Sequence, residues 1–363
     1  MHNKDSKLTV MVTGIGGGGH GEQILKALRL ANRYKIIGGD MSPISKGLME
    51  TDASYLLPPA KDDCYIESVL AVCKKEKVRA LFHGSEPELN VMSLHRDKIK
   101  NAGIFLPISP KKVIEICMDK VKTSAFLHKL GFNIPKSFAI RSEEDLAKID
   151  FFPVVLKPSV GGGASANTML AQSPKEVEMF GRYLLGIYSE FIIQEYVGTP
   201  YSEFTVGVLH SMDGELINSI AVNRSITSSL GSRLKVLNKT GRKELGETLA
   251  ISSGISQGQI GRFPSVTEPC EKIAKSLGAC GAINIQCRLV DDKVYVFEVN
   301  PRFSGTTSLR AMVGYNEPDI LIRHHLMGEP FESHFEYSSG FITRGLEEAL
   351  IKNVDFYDAK SLL

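Results

Sequence analysis

The sequence contains no apolar run long enough to cross a bilayer as a helix. Its opening residues, MHNKDSKLTV, lack the apolar core of a secretory leader and run straight into a strand pattern. It has no excess of one charge. Lys and Arg number 43 against 41 Asp and Glu, a net charge of +2, which argues against a nucleic acid or an anionic membrane as partner. The six cysteines (Cys64, Cys73, Cys117, Cys270, Cys280, Cys287) include no C-x-x-C pair. Most sit in apolar or helical contexts, so free buried thiols in a reducing cytoplasm are expected. Trp is absent, and no repeat or low-complexity segment interrupts the chain. What is present is ordinary for a globular protein: 43% hydrophobic and 23% charged residues over 363 positions. That length exceeds one core, so two or three domains are expected.

The first hundred or so residues alternate strand and helix patterns. Leu8 to Val12 is a short apolar strand that runs into TGIGGGGHG, then a helical pattern from Glu22 to Leu30, then a strand ending at Asp40. The turn contains G-x-G-x-x-G at Gly14, Gly16 and Gly19, and Asp40 lies where a dinucleotide-binding fold places its ribose acid. Five glycines among six residues satisfy many templates, however, and any doubly wound domain needs a tight first turn. Further alternation to Ile104-Phe105-Leu106, closed by Pro107 and Pro110, marks a parallel α/β domain ending near residue 110. One helix is expected from Ile114 to Leu130, carrying Asp119 and Lys120.

Then FPVVLKP, Phe152 to Pro158, is an apolar strand that contains Lys157. An apolar strand rarely spends a lysine without an anionic partner. Ser159-Val160-Gly161-Gly162-Gly163-Ala164-Ser165 follows at once. A glycine-rich loop beside a lysine can fold its N–H groups and a hydroxyl over a phosphate. The strands Phe191 to Tyr196, Glu203 to Leu209 and Leu216 to Asn223 form an antiparallel run. Residues 224–262 are polar and Ser/Gly-rich, with Arg224, Arg233, Lys235, Arg242 and Arg262, and are expected to be a mobile segment near an anionic site.

Gly281 to Thr307 reads as a β-hairpin whose apolar pattern is broken by Gln286, Glu298 and Asn300. Glu298 and Asn300 are two apart and share a strand face. A three-residue loop, Asp291-Asp292-Lys293, would put Gln286 opposite Glu298 on that face, whereas a two-residue loop would put it on the other. The first register gathers one carboxylate and two amides as oxygen ligands suited to Mg²⁺. A strand with one polar face turned to water fits the same spacing.

Lys120, Lys157 with its glycine loop, a Q-E-Y strand end, Glu203, then Gln286, Glu298, Asn300 and Arg302 follow one another in an order that resembles the ATP-grasp superfamily, carbamoyl-phosphate synthase large-chain type. The segment E-V-N-P-R, Glu298 to Arg302, is its most specific part. The resemblance covers nearly the whole chain. It implies an α/β and α+β architecture: an N-terminal Rossmann-like pre-ATP-grasp domain (1–112), a first ATP-grasp lobe with the glycine loop (113–190) and a second lobe with the metal-site hairpin (191–330). A C-terminal strand and helix (331–363) would pack on that second lobe.

The resemblance further implies that Lys120 and Lys157 hold ATP phosphates and that Gly161, Gly162, Gly163 and Ser165 close over them. Gln194, Glu195 and Val197 would contact adenine, Glu203 the ribose, and Gln286, Glu298 and Asn300 would ligate Mg²⁺, with Mn²⁺ as a substitute. Arg302, with Lys157, would steady the substrate carboxylate or acyl phosphate. Gln286 departs from the many relatives with an acid there. One copy of this unit is not expected to make carbamoyl phosphate, but to join a small-molecule carboxylate to an amine, as a cytoplasmic enzyme and a homodimer. Two rivals remain: an NAD(P)-dependent oxidoreductase using Gly14 to Asp40, and a non-catalytic nucleotide-binding protein.

Overall fold

The computed structural model describes residues 7–161, 165–348 and 356–363. Val10, Met11 and Val12 are all fully buried, so their strand must be covered on both faces. It is an inner strand of a parallel sheet. β1 (Leu8–Thr13) pairs with β2 (Tyr34–Asp40), β2 with β3 (Ala53–Leu56), and β1 with β4 (Ala80–Phe82). Val10, Val12 and Ile36 share a core with Ile24, Leu25 and Leu28 of the helix His20–Ala31. The alternate residues Met11, Ile37 and Leu81 share another with Val69 and Val72 of the helix Tyr65–Glu76.

The second sheet is antiparallel, built from β5 (Ser137–Ile140), β6 (Val154–Pro158), β7 (Met169–Ala171) and β8 (Phe191–Glu195) in the order β5-β8-β6-β7. The helix expected from Ile114 to Leu130 is divided into Lys111–Cys117 and Lys120–Lys129. Asp119 caps the second piece, accepting from the Val121 and Lys122 N–H groups, and its carboxylate also takes the Ser159 hydroxyl at 2.8 Å. That cap fixes Lys120 at a helix start beside the end of β6.

The third sheet carries β9 (Glu203–His210) and β10 (Leu216–Arg224) at its centre. The segment 224–262 is not the expected mobile loop. β11 (Ser232–Leu237) pairs with β12 (Thr248–Ser252), and β13 (Gly258–Gly261) joins β10. Leu245, Leu249 and Ile251 pack with Leu170 and Tyr196 of the second-sheet region. The segment's polar residues alternate with Leu234 and Val236, which is strand patterning that its composition conceals.

β14 (Gly281–Val290) pairs with β9, and β15 (Lys293–Asn300) with β14. The hairpin loop is the two-residue Asp291-Asp292, both with positive φ (46° and 57°). By itself this would put Gln286 and Glu298 on opposite faces. A register shift corrects it: Cys287 faces Val296, yet Gln286 faces Glu298, so Phe297 is an extra, bulged residue. Asn284 faces Asn300 in turn.

The tail follows the expectation only in part. β16 (Gly340–Ile342) pairs with β13, but β17 (Tyr357–Asp358) pairs with β3 of the first sheet rather than with the second lobe. Its Tyr357 ring lies 5.5 Å from Tyr55, with the Lys75 ammonium 4.4 Å over it. β3, too short to stand out in the sequence, offers an open edge that a short strand can close.

Candidate active site

A cleft of about 720 Å³, counted to its open mouth, separates the second sheet from the third. Pro135, Val155, Tyr196 and Ile251 give it apolar walls. Nine of the residues singled out in the sequence line it: Lys120, Lys157, Ser165, Gln194, Glu195, Val197, Glu203, Gln286 and Glu298. Gly161 and Asn300 line an adjoining recess with Lys120, Glu298 and Glu86. Gly162 and Gly163 lie outside the described residues. Arg302 borders neither space; it reaches back to the first domain, donating to Glu86 at 3.2 Å.

The bulge at Phe297 does more than set register. Lys157 is 7% exposed, and its ammonium donates to the Phe297 carbonyl at 3.0 Å, 5.4 Å from the ring. A cation on the second sheet is thereby tied to the β14–β15 hairpin on the third. Burial depresses the Lys157 ammonium to about 8, with Glu298 pulling it up and Lys120 pushing it down. Burial also pushes the Glu298 carboxyl up, but Lys120, Lys157 and Arg302 outweigh this and hold it below the ordinary range. Lys120 approaches Glu298 to 3.9 Å and donates to the Gly161 carbonyl at 3.2 Å. Ser165 donates to the Ser252 carbonyl at 2.9 Å, so the far end of the glycine loop is fastened to β12.

Glu203 is not an open carboxylate. Arg224 donates to its Oε1 at 3.0 Å and Arg288 to its Oε2 at 3.0 Å, with all three side chains nearly buried. Arg288 also donates to the carbonyls of Val197 and Ala250 and lies 4.2 Å over the Tyr196 ring. Arg224 donates to Ser252 Oγ and the Ser253 carbonyl. This triad holds β8, β9 and β12 around the cleft, and burial against two guanidiniums keeps Glu203 ionised: desolvation raises its pKa, and Arg288 and Arg224 more than reverse it. The sequence reading did not single out Arg288. The signal was available, since Arg288 is a cation inside an apolar strand two residues from Gln286, the same anomaly that marked Lys157.

The glycine-rich first turn is committed to its own packing. Asp40 is 7% exposed; its Oδ2 accepts from the Gly16 N–H at 2.8 Å and its Oδ1 from Ser42 N–H at 2.9 Å. The acid of the supposed ribose site thus faces its own loop. A Cβ at Gly21 would meet the Gly14 carbonyl at 2.3 Å, so this glycine serves close backbone packing.

For a divalent cation the residues fit in part. Glu298 is an ionised carboxylate, and the buried Asn300 side chain beside it hydrogen-bonds to it and helps keep it so. Gln286 is placed opposite Glu298, but its oxygen accepts from Arg224 at 3.4 Å while its Nε2 donates to Glu298 at 3.1 Å. The oxygen that the resemblance made a ligand is engaged elsewhere. Among the described residues no group of three or more His, Cys, Asp or Glu side chains forms a metal cage.

Replacing Glu203 by Gln would leave two buried guanidiniums without a counter-charge. The expected cost is roughly 3–5 kcal/mol, seen as a fall in the urea midpoint by circular dichroism. An unchanged midpoint would show that the triad does not hold the cleft together.

A model described as "ATP-grasp domain" matches residues 117–306, and one described as "PylC-like, N-terminal domain" matches residues 12–107. The carbamoyl phosphate synthase large chain of Thermoplasma volcanium is 27% identical over 303 residues, covering 77% of this chain and 27% of that protein. The chain spans about a quarter of the length of the curated relatives it matches. The fold is similar to N5-carboxyaminoimidazole synthetase from Staphylococcus aureus complexed with ADP (TM-score 0.65, 14% identity, 93% of this chain and 82% of that one). It is also similar to L-amino acid ligase from Bacillus licheniformis (TM-score 0.62, 17% identity, 88% and 74%). With a family model matching more than half its length and this cleft between its two antiparallel sheets, the chain belongs to the ATP-grasp family.

Proposed function

We propose that this chain is an ADP-forming ligase that activates a small-molecule carboxylate with ATP and joins it to an amine. The observation that carries the reading is the convergence of Lys120, Lys157 and Glu298 at one cleft whose walls also include Val155, Tyr196 and Ile251. Apolar walls suit a purine, and two ammonium groups beside a carboxylate suit a triphosphate with its divalent cation. The names of the structural neighbours, an ADP-complexed synthetase and an amino acid ligase, support it.

In this reading Lys157 and Lys120 neutralise phosphate oxygens, and the glycine loop from Gly161 to Ser165 covers them. Glu298 and Asn300 would hold Mg²⁺, which would supply charge neutralisation to the bound phosphates. The substrate carboxylate attacks the γ-phosphorus, giving an acyl phosphate and ADP. The amine then attacks the acyl carbon and releases phosphate. Arg302, anchored on Glu86 at the junction with the first domain, is assigned to the acyl group. Excluding water is the loop's task, because an acyl phosphate otherwise hydrolyses. The oxidoreductase alternative has less support, since Asp40 is turned onto Gly16.

The test is a coupled ADP-release assay over a panel of carboxylic acids against amino acids and ammonia. At least one pair should stimulate ADP release, and Glu298→Gln or Lys157→Met should reduce it by 10³-fold or more (order of magnitude from lost transition-state charge stabilisation). Near-normal turnover in either variant with its true substrates would refute the assignment.

A pH dependence follows from Lys157. Its ammonium, lowered to about 8 by burial, is charged below that pH and neutral above it. Affinity for a non-hydrolysable ATP analogue should therefore be constant below pH 8 and fall by up to about tenfold per pH unit above it. Lys157→Arg, which keeps its charge, should flatten the profile in a calorimetric titration. A flat wild-type profile to pH 9.5 would contradict a phosphate contact by Lys157.

A further inference from the structure

We propose that this cleft holds a nucleoside triphosphate by its base and phosphates and does not read the sugar hydroxyls, because Arg288 withholds Glu203 from them. The site then takes ATP and its 2′- and 3′-deoxy forms alike, and Arg288 is the residue that sets this tolerance. The inference rests on the nucleotide reading above and adds which parts of the nucleotide are recognised.

A buried carboxylate holds ribose hydroxyls by accepting from them with free lone pairs. An ionised carboxylate has about four such positions on its oxygens. Those of Glu203 are taken from within the chain. Arg224 Nη1 donates to Oε1 at 3.0 Å, and Arg288 donates to Oε2 from Nε at 3.3 Å and from Nη2 at 3.0 Å. The Ser252 hydroxyl hydrogen-bonds to the same carboxylate. Glu203 lines the cleft but is only 2% exposed. It lacks both the open surface and the spare acceptor sites that a sugar hydroxyl needs.

Arg288 is not free to turn away and release it. Every N–H of its guanidinium has a partner. Besides the bonds to Glu203, Nη1 donates to the carbonyls of Val197 at 3.0 Å and Gly198 at 3.4 Å, and Nη2 to that of Ala250 at 3.2 Å. The guanidinium also lies 4.2 Å over the Tyr196 ring. A sugar hydroxyl would capture Oε2 only by breaking a charge-assisted hydrogen bond between buried ions, and it offers a neutral donor in exchange.

The other acids and amides that line the cleft, Glu298 aside, are engaged as well. Glu195 takes Arg242 at 3.0 Å, and Gln194 donates to the Ser137 hydroxyl at 3.2 Å. Gln286 lies between Arg224, at 3.4 Å, and Glu298, at 3.1 Å. A site built to bind a hydroxyl holds a buried polar group that goes unpaired when the hydroxyl is missing, and it rejects the deoxy analogue for that reason. Among the described residues, no buried side-chain atom without a partner belongs to a residue lining this cleft. Its apolar walls and its lysines face the base and the phosphates instead.

Isothermal titration calorimetry on the intact chain with Mg²⁺ compares ATP with 2′-deoxy-, 3′-deoxy- and 2′,3′-dideoxy-ATP. The affinities should agree within about threefold, less than the roughly tenfold that one hydrogen bond to a charged group is worth. In Arg288→Met, Arg224 still holds Oε1 but Oε2 is freed, and ATP should be preferred over the dideoxy form by about tenfold or more. A wild type that binds ATP but binds a deoxy form about tenfold more weakly would overturn the inference and leave the nucleotide reading standing. An Arg288→Met chain that keeps the wild-type circular dichroism spectrum, binds ATP and still does not discriminate would overturn the role given to Arg288. A wild type that binds no ATP would overturn the nucleotide reading, and this inference with it.

Discussion

A single extra residue in an antiparallel hairpin, Phe297, fixes the geometry of the cleft. The two-residue turn at Asp291-Asp292 would set Glu298 and Asn300 on the face opposite Gln286. The bulge returns all three to one face and releases the Phe297 carbonyl, which accepts the Lys157 ammonium at 3.0 Å. Lys157 belongs to β6 and Phe297 to β15, on different sheets. One hydrogen bond thus joins the two walls at the point where the charges gather, and the register of the acid and the position of the cation share one cause.

The electrostatics around this contact are tightly coupled. Lys157 is buried and Glu298 partly so, and each favours the other's charged form there. Lys120 adds a second positive charge that lowers Lys157 and steadies Glu298. The balance leaves room for an anion. On the other side of the cleft the Arg224–Glu203–Arg288 group is closed on itself, with both carboxylate oxygens occupied. That group is a brace, joining the strand end at Val197, the β12 carbonyls and the floor at β9. The cleft therefore pairs a braced floor with a region where two ammonium groups face one carboxylate.

Much of this was legible in the sequence because its physics is local. The apolar β1 and β2 runs, the glycine turn and the Lys157 anomaly each depend on a few neighbouring residues. Glu298 and Asn300 on one face follow from strand periodicity alone. What escaped was set by partners far along the chain. The bulge at Phe297 leaves no mark in VYVFEVN, which reads as an unbroken strand. The break at Asp119 depends on Ser159, forty residues away. Residues 224–262 read as a loop by composition, and only pairing across β11 and β12 shows them to be a folded cover. β17 finds its place because β3 has an open edge, which no feature of the tail announces. Glu203 was marked only through the family resemblance, and its two arginine partners, Arg224 and Arg288, lie 21 and 85 positions away.

The most direct measurement is a crystal structure of the chain with Mg²⁺ and a non-hydrolysable ATP analogue. The triphosphate should lie between Lys120 and Lys157, with Mg²⁺ about 2.1 Å from a Glu298 carboxylate oxygen and from Asn300 Oδ1. A triphosphate lodged over the Gly14–Gly19 turn, or a cation away from Glu298, would contradict the role given to the bulged hairpin.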